Sequence, residues 1–112
     1  MLYHDVPEPK RSMMVSQIGT QSLGPFFQKL SHFGWEHVPS TYVHATLDRP
    51  VPLRAQRFIV DSTKNRAATG AHEVSVQPFS GPLGTFEVEA GHSLMLSKTG
   101  EVAEILVKVA EG

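Results

Sequence analysis

The chain has 112 residues, no cysteine and a formal net charge of −1 at pH 7. This length allows one small domain with a modest core. Without cysteine there are no disulfides, thiolate metal sites or cysteine nucleophiles, and the balanced charge offers no basic surface for nucleic acid or an anionic membrane. No segment resembles a signal peptide or approaches the ~18 apolar residues of a membrane span, so we expect a soluble, cytoplasmic protein.

The first third of the chain carries two short helical signals. The prolines at positions 7 and 9 favour an extended or turn-like start. Lys10–Gly19 predicts a short helix, and Gln21–Leu30 predicts a second helical segment. Met13, Met14 and Ile18 are on one side of the first helix, and Met13 and Met14 are expected either to pack in the core or to face a pocket. The apolar residues of the second segment are predicted to pack in the core: Leu23, Phe26, Phe27 and Leu30.

The remainder of the chain alternates strand and helix signals. We predict a strand over Ser40–Thr46 and a helix over Leu53–Thr63, followed by a polar connection over residues 64–71. Two alternating runs, 73–77 and 85–89, predict strands. The last helix is predicted over Lys98–Glu111, with Ser97 or Thr99 as its N-cap and Val102, Ile105, Leu106 and Val109 on its apolar face. In the middle helix we expect Leu53, Phe58, Ile59 and the stem of Arg57 near the buried side.

Strands that alternate with helices predict an α/β fold with a parallel sheet. Two or three parallel strands make a narrow sheet, whose open edge is a place where further strands can pair. We therefore expect an incomplete sheet with flanking helices.

Two chemically useful side chains follow the predicted strands. Asp48 comes just after the strand over 40–46, and His92 comes just after the strand over 85–89. The carboxyl ends of parallel strands share one rim of a sheet, so an acid and a histidine at these positions should meet there. The carboxylate would accept a hydrogen bond from one imidazole nitrogen, and the other nitrogen would be free to take a proton from a hydroxyl group.

The segments that carry these residues resemble those of a known family. Residues 40–52 (STYVHATLDRPVP), followed by Gln56 and Arg57, are similar to the acid-bearing segment of α/β-hydrolases. Residues 90–98 (AGHSLMLSK) with the following helix are similar to their histidine turn. The resemblance is to the small esterase branch that contains plant hydroxynitrile lyases and methylesterases. It implies that residues 1–38 leave a cap domain, and that residues 39–112 are the C-terminal part of the core.

The resemblance implies catalysis of small carboxylic ester or amide hydrolysis without a cofactor or metal, with Asp48 as the triad acid and His92 as the general base. Family members carry their nucleophile in a G-x-S-x-G elbow, which these residues lack. The closest segment, Gly19–Gly24 around Ser22, misses the spacing by one residue. Residues 77–84 also look like an insertion relative to the family pattern. We therefore expect the isolated chain to be inactive.

Two rival interpretations remain open. One is a non-catalytic pseudo-hydrolase that pairs its open sheet edge with a second copy or a partner chain. The other is an enzyme assembled in trans, in which a separate polypeptide supplies the serine. The other candidate residues have simpler interpretations. His32, Glu36 and His37 lack the spacing of a metal site, and His44 is expected to be a packed strand residue. Trp35 either covers the core, which we favour, or lines an apolar pocket.

Overall fold

The computed structural model describes residues 1–29, 35, 38–69 and 84–112, without the side chains of 66–69. It is a mixed α/β structure with a two-stranded sheet and flanking helices. Its elements in chain order are α1 (Lys10–Ser16), a 3-10 helix (Gly24–Phe27), β1 (Thr41–Ala45), α2 (Leu53–Thr69), β2 (Gly84–Val88), α3 (Leu94–Ser97) and α4 (Thr99–Glu111). The run predicted as a strand over 73–77, the proposed insertion before Gly84, and His32, Glu36 and His37 lie outside the described residues.

The two strands pair in parallel, as the sequence predicts. Thr41 lies opposite Gly84 and Ala45 lies opposite Val88, so the whole of each strand takes part in the ladder. The ladder continues past the end of β1, where the Thr46 N–H donates to the Val88 carbonyl over 3.0 Å. Successive residues of a strand point their backbone groups to alternate sides, so Thr41, Val43 and Ala45 direct theirs away from β2, toward the outer edge of β1.

Helices lie on both faces of this small sheet. One face carries Val88, which is fully buried and packs with Ile105 of α4, with Val43 and Phe86 alongside. On the other face, Arg57 of α2 forms an ion pair of 2.9 Å with Glu87. This arrangement agrees with the rule that parallel strands are covered on both faces.

A buried glutamine joins α2 to the outer edge of β1. The side chain of Gln56, which is 2% exposed, accepts a hydrogen bond from the Ala45 N–H over 3.0 Å and donates to the Ala45 carbonyl over 2.9 Å. Its amide also donates to the Val51 carbonyl over 2.8 Å. The glutamine thus satisfies the two outward backbone groups of Ala45 that a neighbouring strand would otherwise pair.

The buried face and the length of α2 both differ from the prediction. Among the described side chains of this helix, Gln56 and Val60, four residues apart, are buried, whereas Phe58 is 72% exposed and Ile59 and Arg57 also face outward. The predicted buried side was therefore wrong for those three residues. The helix also runs to Thr69, six residues beyond the predicted end, because residues 64–69 contain no glycine or proline and include helix-favouring Ala67 and Ala68.

The N-terminal helices are shorter and more exposed than predicted. Helix α1 ends at Ser16 and buries no residue, with Met13 51% exposed and Ile18 55% exposed. The second segment forms only the 3-10 turn, because Gly24 and Pro25 at its start are poor helix formers and Gln28 is extended. The predicted core packing is wrong for Leu23, Phe26 and Phe27, which are mostly exposed.

The C-terminal helix begins differently from the prediction. A separate turn, α3, precedes α4, and the N-cap of α4 is Lys98, without a side-chain capping bond. The Thr99 hydroxyl instead donates to the Met95 carbonyl, which ties α4 to α3. Of the predicted apolar face, Ile105 is buried and Val102 is half-buried, as expected. Leu106 and Val109 are 63% and 44% exposed, because the narrow sheet covers only one ridge of the helix.

The Gln56 contacts lead to a stability prediction. Gln56→Leu would leave the N–H of Ala45 and the C=O of Val51 without their partner, and each such group costs about 1–3 kcal/mol; the C=O of Ala45 would keep its bond from the Asp48 N–H. We expect the free energy of unfolding, measured by urea denaturation, to fall by at least about 2 kcal/mol. Phe58→Ala, two positions along the same helix, is the control and should change it by less than about 0.5 kcal/mol. Equal losses in both variants would contradict this assignment.

Candidate functional site

The rim at the carboxyl ends of β1 and β2 brings Asp48 and His92 together. Beyond the strands, the Leu47 N–H donates to the Ala90 carbonyl over 3.0 Å, so the loops after β1 and β2 are bonded to each other. Asp48 is one residue beyond this bond and His92 is two residues beyond it. A turn bond of 3.2 Å from the Asp48 N–H to the Ala45 carbonyl directs the chain back over the strand end.

The two side chains are in direct hydrogen-bond contact. The Nδ1 atom of His92 lies 2.9 Å from the Oδ2 atom of Asp48, whose side chain is 7% exposed. The other carboxylate oxygen accepts the Val51 N–H over 3.0 Å, which fixes the plane of the carboxylate. Because a carboxylate only accepts, the hydrogen on this contact belongs to Nδ1, and Nε2 is then the basic nitrogen.

The imidazole is partly open to solvent. The His92 side chain is 37% exposed at the rim, whereas the carboxylate of Asp48 that it contacts is buried. The neighbouring Ser93 is 6% exposed and its hydroxyl donates to the Leu2 carbonyl over 3.0 Å. Ser22 of the near-elbow segment accepts the Gly24 N–H from within an exposed turn. Ser93 thus lies between β2 and α3 with its hydroxyl buried and bonded, and no strand precedes Ser22 in the described residues.

A carboxylate near the start of the chain also reaches this rim. The Gly91 N–H donates to Oδ2 of Asp5 over 2.6 Å, although the two residues are 86 positions apart. Partial burial acts to raise the pKa of the Asp5 carboxyl, but hydrogen bonding, above all from the Gly91 N–H, outweighs it and the pKa lies below its usual value. Asp5 was not a candidate from the sequence.

Gly91 is required here for space. A Cβ atom at this position would lie 2.5 Å from Oδ1 of Asp5 and 2.5 Å from Cε1 of His4. Its φ angle is not positive, so any residue could adopt its backbone conformation. The absence of a side chain therefore serves the close approach of the N-terminal segment to the histidine turn.

The other residues singled out from the sequence lie away from this dyad. His44 is 5% exposed and its Nδ1 lies 3.2 Å from the Phe86 carbonyl, as expected for a packed strand residue. Trp35 is 42% exposed and lines a largely apolar cleft of about 290 Å³, which supports the pocket alternative over the favoured core position. The cleft lies at the amino-terminal end of β1, opposite Asp48, and its other lining residues are Ser40, Thr41, Tyr42, Ile59, Val60 and Thr63.

Tyr42 does not compete with His92 as a base. Partial burial, and then the negative charge of Asp48, raise the pKa of its phenol, so the hydroxyl keeps its proton at neutral pH.

In the part of the chain that the structure describes, no three histidine, aspartate or glutamate side chains are placed to share a metal ion. No helix within the same ranges combines the length and apolar character needed to cross a bilayer. No protein-family model matches the sequence, and no curated protein matches it at a significant level.

Sequence reasoning missed Asp5 as a site residue and assigned no structural role to Gln56. Gln56 had a weak signal, because it stands four residues before Val60 on a helix that should bury one face. Asp5 had none: an aspartate before a proline-rich turn is an ordinary turn residue, and its contact with Gly91 depends on how the two ends of the chain meet.

The dyad geometry predicts the outcome of Asp48→Asn. An asparagine offers one acceptor oxygen, and if that oxygen keeps the Val51 N–H, the amide NH₂ faces Nδ1 of His92. The imidazole should then move its hydrogen from Nδ1 to Nε2. We expect ¹⁵N NMR of the labelled imidazole to show this change of tautomer, with Asp61→Asn, an exposed position on α2, as the control. An unchanged Nδ1–H in Asp48→Asn would contradict the assigned contact.

The lowered pKa of Asp5 predicts a dependence of stability on pH. The folded-state pKa lies below the unfolded value of about 3.9, so the contribution of this carboxylate is complete above that value and is lost as the pH falls through the folded-state pKa. Wild type should thus be more stable than Asp5→Asn at pH 6, and the difference should disappear in stronger acid. Urea denaturation between pH 2 and 6 measures both curves. A difference that persists undiminished at the lowest pH would refute this origin.

Proposed function

We propose that this chain forms the acid–histidine half of a serine hydrolase of the α/β-hydrolase type, and that its nucleophile comes from residues outside these 112. The observation that carries the proposal is the contact of 2.9 Å between His92 and Asp48. It has the arrangement in which a buried acid sets the tautomer of a general base.

The position of the dyad supports this proposal as much as the distance. Each residue follows a parallel strand in an α/β arrangement, at the sheet rim where such proteins place reactive groups. The order acid, helix, strand, histidine is also that of the hydrolase segments resembled by residues 40–57 and 90–98. An aspartate and a histidine that came together by chance on a surface would not be expected to follow two adjacent parallel strands.

Two features of the described structure support the proposal that further residues pack against the sheet. Among the described residues, far more large hydrophobic side chains are exposed than buried, including Phe26, Phe27, Phe58 and Leu106. The backbone of β1 also directs the N–H and C=O groups of Thr41 and Val43 outward, where a further strand could pair. Both features are those expected of a core segment whose remaining strands lie in other residues.

The proposed chemistry assigns one role to each side chain. Nε2 of His92 removes the proton of a serine hydroxyl as the oxygen attacks the carbonyl carbon of a small ester or amide. His92 then returns the proton to the departing alcohol or amine, and repeats the cycle with water to release the acid and regenerate the serine. Asp48 holds the ring and stabilises its positive charge while the proton is bound, so no cofactor takes part.

A second candidate function is a non-catalytic binding protein that uses the outer edge of β1. Gln56 already satisfies the backbone of Ala45, so an added strand, from a second copy or a partner chain, would pair along Thr41 and Val43. This candidate gives His92 no task. It predicts an assembly that forms with or without the dyad.

The test is reaction with a fluorophosphonate probe, which labels only activated serines. The tagged chain is recovered from its native cells with whatever polypeptide it is part of or bound to, and the labelled residue is identified by mass spectrometry. We expect labelling of a serine outside these residues, with none in the chain alone. Loss of a triad member lowers such reactions by about 10⁴-fold, so His92→Ala should abolish labelling and Asp61→Asn should not.

Two other results would decide against the hydrolase proposal. Labelling that survives His92→Ala would show that the serine uses another base. A stable assembly that is never labelled, and whose mass by analytical ultracentrifugation is unchanged in His92→Ala, would favour the binding protein.

A further inference from the structure

We propose that Asp5 is a positioning residue, which fixes the backbone of the histidine turn and thereby the place of the His92 ring. Its meaning for catalysis rests on the function proposed above, whereas its effect on His92 can be observed without any catalysis.

Both neighbours of His92 are bonded to the start of the chain. The Gly91 N–H donates to the Asp5 carboxylate over 2.6 Å, and the Ser93 hydroxyl donates to the Leu2 carbonyl over 3.0 Å. The bond to Asp5 involves a charged acceptor and is short, which places it among the stronger hydrogen bonds in proteins. The N-terminal segment is itself anchored, because Val6 is 2% exposed.

These bonds restrain the position of the His92 backbone, which the contact with Asp48 does not determine. The bond from Nδ1 to Asp48 determines where one edge of the imidazole points, but the other edge follows the position of the His92 backbone. That backbone lies in a turn between β2 and α3, outside regular structure. Catalytic groups lose about 10²-fold in efficiency when displaced by 1 Å, so a restraint on this turn has a function.

The lack of a side chain at Gly91 supports the same inference. Its missing side chain leaves the space that the Asp5 carboxylate and the His4 ring occupy. Gly91→Ala would keep an allowed backbone conformation but would push the carboxylate away from the Gly91 N–H. It should therefore reproduce the effect of removing the carboxylate, although Asp5 itself is intact.

The experiment combines hydrogen exchange with NMR of the His92 imidazole in the whole chain. In Asp5→Ala, and in Gly91→Ala, we expect the Gly91 amide to exchange about 10- to 100-fold faster, and the Nδ1–H signal of His92 to be lost to exchange with water. Asp5→Asn keeps an acceptor for Gly91 and should retain the Nδ1–H signal. Glu8→Gln is the matched control, because Glu8 bonds only within the N-terminal region, to Arg11 and Ser12, and should leave both signals unchanged.

The amide of Val88, buried in β2, separates a local effect from general loss of stability. If Gly91 exchange rises in Asp5→Ala while Val88 exchange does not, the turn has loosened locally, as proposed. If both rise equally, or if the His92 Nδ1–H signal survives in Asp5→Ala, Asp5 is merely structural and the inference is overturned. Neither result depends on a nucleophile, so failure here is distinct from failure of the hydrolase proposal.

Discussion

The parallel ladder between β1 and β2 is the constraint on which the rest of the described structure depends. It aligns the carboxyl ends of two strands that are separated by about forty residues of chain, and the bond from Leu47 to Ala90 extends that alignment into the loops. A slip of one residue in this register would turn each side chain to the opposite face. Backbone pairing thus places Asp48 and His92 next to each other, and their side chains then form the hydrogen bond.

The elements that could be predicted from the sequence are those determined by local pattern. The alternating, β-branched run before Asp48 and the run before His92 formed the two strands within one residue of the predicted limits. Their parallel pairing, which follows from an intervening helix, placed the acid and the histidine on one rim. The site could be anticipated because both residues stand immediately after strands, where position along the chain nearly determines position in space.

What could not be predicted depends on contacts that local pattern does not encode. The apolar spacing of Leu23, Phe26 and Phe27 suggested a buried helix face, but burial requires a second surface, and in the described residues none covers them. In α2, hydrophobicity favoured Phe58 and Ile59 for the interior, yet the polar Gln56 is buried because its side chain bonds the backbone N–H and C=O of Ala45 at the edge of β1. A hydrogen-bond requirement of the backbone outweighed side-chain hydrophobicity there.

The rim joins three parts of the chain, each with one physical task. The turn after β1 supplies the buried carboxylate of Asp48, the turn after β2 supplies the imidazole of His92, and the N-terminal segment bonds both neighbours of His92, Gly91 and Ser93. Among the described residues, the hydrogen bonds at this turn lie on the Nδ1 and backbone sides of His92. Under the proposed function, a serine hydroxyl would approach the exposed part of the ring, and the residues that carry it would have to reach this rim without displacing Asp5.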